Sequence, residues 1–229
     1  LLQSGKMVKI DKQDSANASL HREWLLLDLR EDWAVGGKTW PAGSLLATKL
    51  DDFMAGKREF APLFTPTDRS SLAGYSPTRN HIIVNELDNV KNRVYVWTYG
   101  SNGWSREALP GLPEFGTVDV NAVDERDSDS YFVTATDFLT PTSLHYGEVG
   151  KGKPELLKSL PAFFDASKLA VSQHEAISQD GTRVPYFQVA AKAVDLNGKN
   201  PTVLYGYGGF EVSMTPNYAA NIGDAWLNK

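Results

Sequence analysis

At 229 residues, with 41% apolar and 11% aromatic side chains, the chain suffices for one large domain or two small ones and can fill a core. A net charge of −5 argues against nucleic acid or anionic membrane as a partner, and no run approaches the roughly 20 apolar residues that span a bilayer. The absence of cysteine excludes disulfides, thiolate metal sites and a cysteine nucleophile.

A soluble protein of cytoplasm or periplasm fits this composition. Leu1 and Lys229 have the look of cut ends: no Met starts the chain, and it stops after an amphipathic stretch, Tyr218–Leu227. The expectation is a fragment of a longer protein.

Trp24–Arg30 (WLLLDLR) reads as a buried strand, followed by a turn-rich insertion over Glu31–Gly43. Ser44–Leu50 is a second strand, Asp51–Gly56 a helical turn opened by an Asp cap, and Glu59–Thr65 another short apolar run. Tyr75–Thr78 (YSPT) predicts a turn. His81–Asn85, Arg93–Tyr99 (RVYVWTY) and Trp104–Leu109 are strands rich in β-formers. Gly116–Val123, Tyr131–Thr136, Thr142–Glu148 and Pro154–Lys158 repeat the pattern around a charged turn, Asp124–Ser130.

HIIVNELDN, RVYVWTYG and WSREALPG follow one another as YFVTATDF, TSLHYGEVG and PELLKS do later, at an offset of roughly 50 residues. The run at Trp24 precedes them by a similar distance. About four short strands per period is the mark of β-propeller blades, each needing a neighbour to cover its faces. An all-β sandwich with regularly spaced strands is the alternative.

The character changes after Ser159–Pro161. Leu169–Ser178 and Arg183–Ala191 form a hairpin around the Asp180-Gly181 turn. Thr202–Tyr205 then reads as a buried strand running into a glycine-rich turn (Gly206, Gly208, Gly209) that holds Tyr207 and Phe210. This is either an ordinary strand exit or a loop that builds part of an active site. Two antiparallel strands followed by such a loop is how an α/β-hydrolase sheet begins, with the loop supplying half of an oxyanion hole.

LYGYGGFEVSMTPNY, with the lead-in FDASKLAVSQHEAISQDGTRVPYFQV, resembles the prolyl oligopeptidase family of serine peptidases. The likeness is specific over roughly 163–218, and Asp129–Leu144 (DSYFVTATDFLTPTSL) also resembles the family's propeller. It implies a fold that is mainly β: a partial β-propeller of about three blades in residues 1–161, then the opening strands of an α/β-hydrolase domain, truncated, in residues 162–229. It implies acyl-enzyme hydrolysis of short peptides after proline, without a cofactor or metal. By motif position Tyr207 donates its hydroxyl to the oxyanion, and Phe210, with Gly208 and Gly209, forms substrate-binding surface for the proline ring. Glu211 departs from the Asn that several members carry there. Relatives with basic-residue or acyl-peptide specificity, and a non-catalytic propeller interaction protein, are the alternatives.

The sequence holds no G-x-S-x-G, so the triad is expected outside this chain, which is then inactive alone and needs the remainder of its polypeptide to complete the fold. His21, His81, His145 and His174 are scattered without zinc spacing. The acidic run Asp124–Asp129 lacks the glycine and closing glutamate of an EF-hand and reads as a solvated turn. Asp119 and Asp137 read as blade-turn caps.

Overall fold

The computed structural model describes residues 2–3, 5–210 and 212–228; Leu1, Ser4, Glu211 and Lys229 lie outside them. A short pairing of β1 (Leu2–Gln3) with β2 (Lys6–Met7) comes first. β3 (Asn17–His21) and β4 (Trp24–Asp28) open the first large sheet, and a hairpin of β5 (Trp33–Val35) and β6 (Lys38–Trp40) interrupts it. β7 (Leu45–Lys49), the helical turn α1 (Leu50–Met54) and β8 (Ala61–Phe64) complete it in the order β3-β4-β7-β8. The second sheet is a meander of β9 (Ser70–Pro77), β10 (His81–Asp88), β11 (Lys91–Gly100) and β12 (Gly103–Ala108). The third is β13 (Thr117–Ala122), β14 (Ser130–Thr136), β15 (Ser143–Glu148) and β16 (Glu155–Ser159). Three consecutive four-stranded antiparallel sheets, packed face on face, are propeller blades rather than the two facing sheets of a sandwich.

The packing follows from the period of two in a strand. In β4, Trp24 and Leu26 point to one face and Leu25 and Leu27 to the other, so all four are buried. The first face joins Leu45, Ala47, Leu63 and Phe64 to Ile82 and Val84 of β10, and this is the seam between the first two blades. Ile83, on the opposite face of β10, joins Val94 and Val96 to Val118, Val120, Tyr131 and Val133, and this is the seam between the second and third. The outer face of the first blade is covered by its own insertion: Leu25, Leu27 and Leu46 pack with Trp40 and Phe53, and Trp33, Val35 and Phe60 lie against them.

Polar clamps hold the second seam. Asn92 donates from Nδ2 to Asn85 Oδ1 at 2.7 Å, and both side chains are buried. Asn85 Nδ2 in turn donates to the Val118 carbonyl at 2.8 Å, and the Val118 N–H donates to Asn92 Oδ1 at 3.0 Å. At one end of the seam, Asp129 accepts hydrogen bonds from the Thr78 hydroxyl (2.8 Å), the Asn80 N–H (2.7 Å) and Asn80 Nδ2 (2.6 Å).

Two expectations are corrected. Tyr75–Pro77 is not a turn but the end of β9; the chain bends only after it. Ser19 Oγ and Tyr75 Oη share a 2.8 Å hydrogen bond, and Pro77 pairs with Ile82 from an edge strand, where a missing N–H is tolerated. Thr202–Tyr205 is neither a strand nor buried: 201–208 has no regular structure and Val203, Leu204 and Tyr205 are exposed. A strand needs a neighbour to take its backbone hydrogen bonds, and β17 (Leu169–Ile177) and β18 (Arg183–Ala191) pair only with each other among the described residues. Asp137 caps a turn as expected, accepting from the Leu139 and Thr140 N–H groups, whereas Asp119 lies in mid-strand and accepts from Asn121 Nδ2.

Burial disfavours the Asp129 anion, but the hydrogen bonds from Asn80 and Thr78 outweigh it and hold the carboxyl below its usual range. Such a group stabilises fully above its unfolded pKa, about 3.9, and loses that contribution as pH falls through the lower folded value. Asp129→Asn should therefore weaken the fold at neutral pH and flatten the acid limb of stability below about pH 4. Chemical denaturation across a pH series tests this, and an unaltered acid limb would exclude the clamp. Separately, a Cβ at Gly147 would lie 2.6 Å from the Tyr131 Oη, on a ring with no exposed surface. Gly147→Ala is expected to cost about 1–3 kcal/mol by overpacking, read as a lowered denaturation midpoint.

Candidate functional site

After the third blade the chain crosses over through Leu160–Lys168 and enters the β17–β18 hairpin. Its turn is built by Asp180, whose carboxylate accepts from Ser178 Oγ and from the Thr182 N–H; these bonds lower its pKa to about 2. Gly181 takes φ +86°, a conformation that suits glycine.

The hairpin leans on the blades at the end opposite the Asp129 clamp. Glu175 accepts from Arg69 at 2.7 Å and from Arg183 at 3.0 Å, pairs that are partly exposed and therefore weak. Gln173 Nε2 donates to the Asn89 carbonyl at 2.6 Å. Phe187 packs between Phe115 and Phe138, with ring centroids 6.4 Å and 5.5 Å away. Phe115 precedes the innermost strand of the third blade, and Phe138 lies between its second and third strands.

The glycine-rich loop follows. The Tyr207 ring folds back over Gly209, so a Cβ at 209 would lie 2.6 Å from Oη and 2.9 Å from Cζ. Gly209 is thus the residue that lets the phenol lie along its own backbone. Gly208 has no neighbour within 4 Å of its Cβ position. Tyr207 is half exposed, and among the described residues its hydroxyl has no hydrogen-bond partner. The Val212 N–H donates to the Gly209 carbonyl at 3.2 Å, closing a turn with Phe210 at its first central position. Phe210 there has φ +55°, left-handed backbone that costs a non-glycine residue about 1–2 kcal/mol, and its ring is 94% exposed. The loop therefore leaves the phenol half exposed over Gly209 and the Phe210 ring almost wholly exposed. Glu211 lies outside the described residues.

Beyond the turn the chain returns to the blades. The Thr117 hydroxyl donates to the Pro216 carbonyl at 2.6 Å. Tyr218 stacks on Phe164 with centroids 5.1 Å apart and planes 8° from parallel, and its Oη accepts from the Phe163 N–H at 2.8 Å. A last helical segment, α2 (Ala220–Ile222) running into a π-helical turn (Gly223–Leu227), sets Gly223 directly on the Phe164 ring. Thr117 lies in the strand expected over Gly116–Val123 and Tyr218 closes the LYGYGGFEVSMTPNY stretch, but the sequence assigned neither a role.

The four histidines do not converge. His21 is buried at the end of β3, and burial followed by the nearby Arg22 charge lowers its pKa. His81 shares a hydrogen bond with Thr98, His145 with Ser143 and His174 with Ser172. Among the described residues no group of three or more His, Asp or Glu side chains is arranged to hold a metal ion. Nor is any helix among them long and apolar enough to cross a membrane.

Residues 34–160, more than half of the chain, match the family model described as prolyl oligopeptidase, N-terminal beta-propeller domain. The chain is 40% identical to an uncharacterised peptidase of Sinorhizobium fredii over 88% of its own length and 28% of that protein. It is 29% identical to the prolyl endopeptidase of Elizabethkingia meningoseptica over 56% of its length and 18% of that enzyme. Among solved structures, a post-proline cleaving enzyme from Rickettsia typhi superposes with a TM-score of 0.79 at 28% identity, over 97% of this chain and 32% of that one. The chain spans less than a third of the length of each. It belongs to the prolyl oligopeptidase family, of which it carries part of the N-terminal β-propeller domain.

Proposed function

We propose that this chain is part of a serine peptidase that cleaves short peptides after proline, and that Tyr207 is its oxyanion donor. The observation that carries the reading is the YGGF loop itself, in which the Tyr207 phenol is half exposed over Gly209 and the Phe210 ring is turned out of the left-handed backbone. Family membership and the likeness to a post-proline cleaving enzyme support it. In this proposal residues 1–161 are propeller and residues 162–229 open an α/β-hydrolase domain. The two-stranded start at β17–β18 and the loop after it are in the right order, and Thr202–Tyr205 pairs as a strand only once further strands lie beside it.

The chemistry is acyl transfer. A serine outside these residues attacks the carbonyl carbon on the C-terminal side of proline, and negative charge builds on the carbonyl oxygen. The Tyr207 O–H donates a hydrogen bond to that oxygen. Collapse of the tetrahedral intermediate releases the amine product with a proton, and water then hydrolyses the acyl-enzyme. A neutral phenol suits the task because its bond strengthens as the oxygen gains charge. Phe210 offers an aromatic wall to the pyrrolidine ring, with Gly208 and Gly209 leaving room beside it. An aromatic wall at this place favours proline over a basic side chain.

The full-length protein should hydrolyse a chromogenic Gly-Pro substrate, and this polypeptide alone should give no turnover above buffer. Tyr207→Phe in the full-length enzyme is expected to lower kcat by roughly 10²–10³ with little change in KM. A full-length enzyme indifferent to Tyr207→Phe would exclude the oxyanion role. The two glycines should separate: Gly209→Ala displaces the Tyr207 ring and lowers kcat, whereas Gly208→Ala leaves the loop geometry and kcat intact and acts on KM, through the room it takes from the proline ring. Equal losses of kcat from both would count against the placement of Tyr207 over Gly209.

A further inference from the structure

From Asp195 to Asn228 only Pro216 and Gly223 are buried among the described residues. They mark the two places where the segment after the YGGF turn meets the rest of the protein. Pro216 follows Phe210 by six positions and gives its carbonyl to Thr117, the first residue of β13, the innermost strand of the third blade. Gly223 sits on Phe164, in the crossover that leaves β16, the outermost strand of the same blade. Between them Tyr218 covers the other contact to that crossover, by its stack on Phe164 and its hydrogen bond from the Phe163 N–H.

The segment before the turn has no such anchorage among the described residues. Over 201–208 every residue is exposed, and the side-chain hydrogen bond there is local, from Thr202 Oγ1 to the Asn200 carbonyl. The loop is therefore fixed from its downstream side. The post that holds it is itself fixed, because Val118, next to Thr117, exchanges both backbone hydrogen bonds with the buried Asn85–Asn92 pair.

We infer that Thr117 and Tyr218 are positioning residues, which tie the segment after the YGGF turn to the third blade and its crossover and so set where the Tyr207 hydroxyl stands. The inference rests on the oxyanion reading of Tyr207. It makes the third blade part of the catalytic geometry and not only a cover: a shift of its inner strand carries the Pro216 anchor with it.

The test is a double-mutant cycle in the full-length enzyme with a chromogenic Gly-Pro substrate. Thr117→Val removes the donor at constant shape, and Tyr218→Phe keeps the stack but removes the acceptor. Each should lower kcat about 3- to 10-fold, the range that the loss of one neutral hydrogen bond corresponds to, with KM nearly unchanged. Thr117→Ser should restore kcat. In a Tyr207→Phe background neither substitution should lower kcat further. If Tyr207→Phe alone has no effect, the oxyanion reading fails and this inference goes with it. If Tyr207→Phe is slow but the other two variants are not, the positioning role alone is overturned. A loss that persists undiminished in the Tyr207→Phe background, or loss of the fold in both isosteric variants as read by melting temperature, overturns it as well.

Discussion

Two buried asparagines in the second blade hold the inner strand of the third. Asn85 and Asn92 face one another across neighbouring strands, and their remaining donor and acceptor close on the carbonyl and N–H of Val118. The arrangement imitates a pair of strand-ladder hydrogen bonds, made by side chains between two sheets whose backbones do not pair. Removing either amide would leave buried polar groups unpaired, at about 1–3 kcal/mol each. Apolar packing alone tolerates sliding of one blade on the next. This clamp does not, because its hydrogen bonds require one register.

The two seams therefore differ in kind. The first is closed mainly by aromatic and aliphatic bulk, with one hydroxyl pair, Ser19–Tyr75, across it: Trp24 lies 4.6 Å from Tyr99 and 4.8 Å from Trp104, centroid to centroid, both in edge contact. The second adds the asparagine clamp at its centre and Asp129 at one end. The hairpin lies toward the opposite end, where Pro216 also meets Thr117. The clamped seam is thus the one that fixes the strand beginning at Thr117.

Blade strands were legible because alternation is a local signal. WLLLDLR, HIIVN and YFVTAT mark buried strands whichever blade covers them, and the offset between repeats groups them in fours. Tyr207 and Phe210 were legible because glycines crowd around them. Asn85 and Asn92 were not: an asparagine in an apolar strand looks like a solvent-facing residue until its partner, 26 or 33 positions away, is known. The partners of Thr117 and Tyr218 were hidden for the same reason, 99 and 55 positions distant. Thr202–Tyr205 failed in the other direction. Its residues favour a strand, but a strand forms only where a neighbour takes its hydrogen bonds, and Thr202–Tyr205 pairs with none of the described strands.

Pro216 accounts for the economy of the loop's anchor. A residue buried against the blade must satisfy both of its backbone polar groups. Proline has no N–H, so the single hydrogen bond from Thr117 meets its whole requirement. Any other residue at 216 would bring an N–H that needs an acceptor of its own. The imide ring also narrows the choices of the unfolded chain at this point, so less entropy is lost when the loop docks.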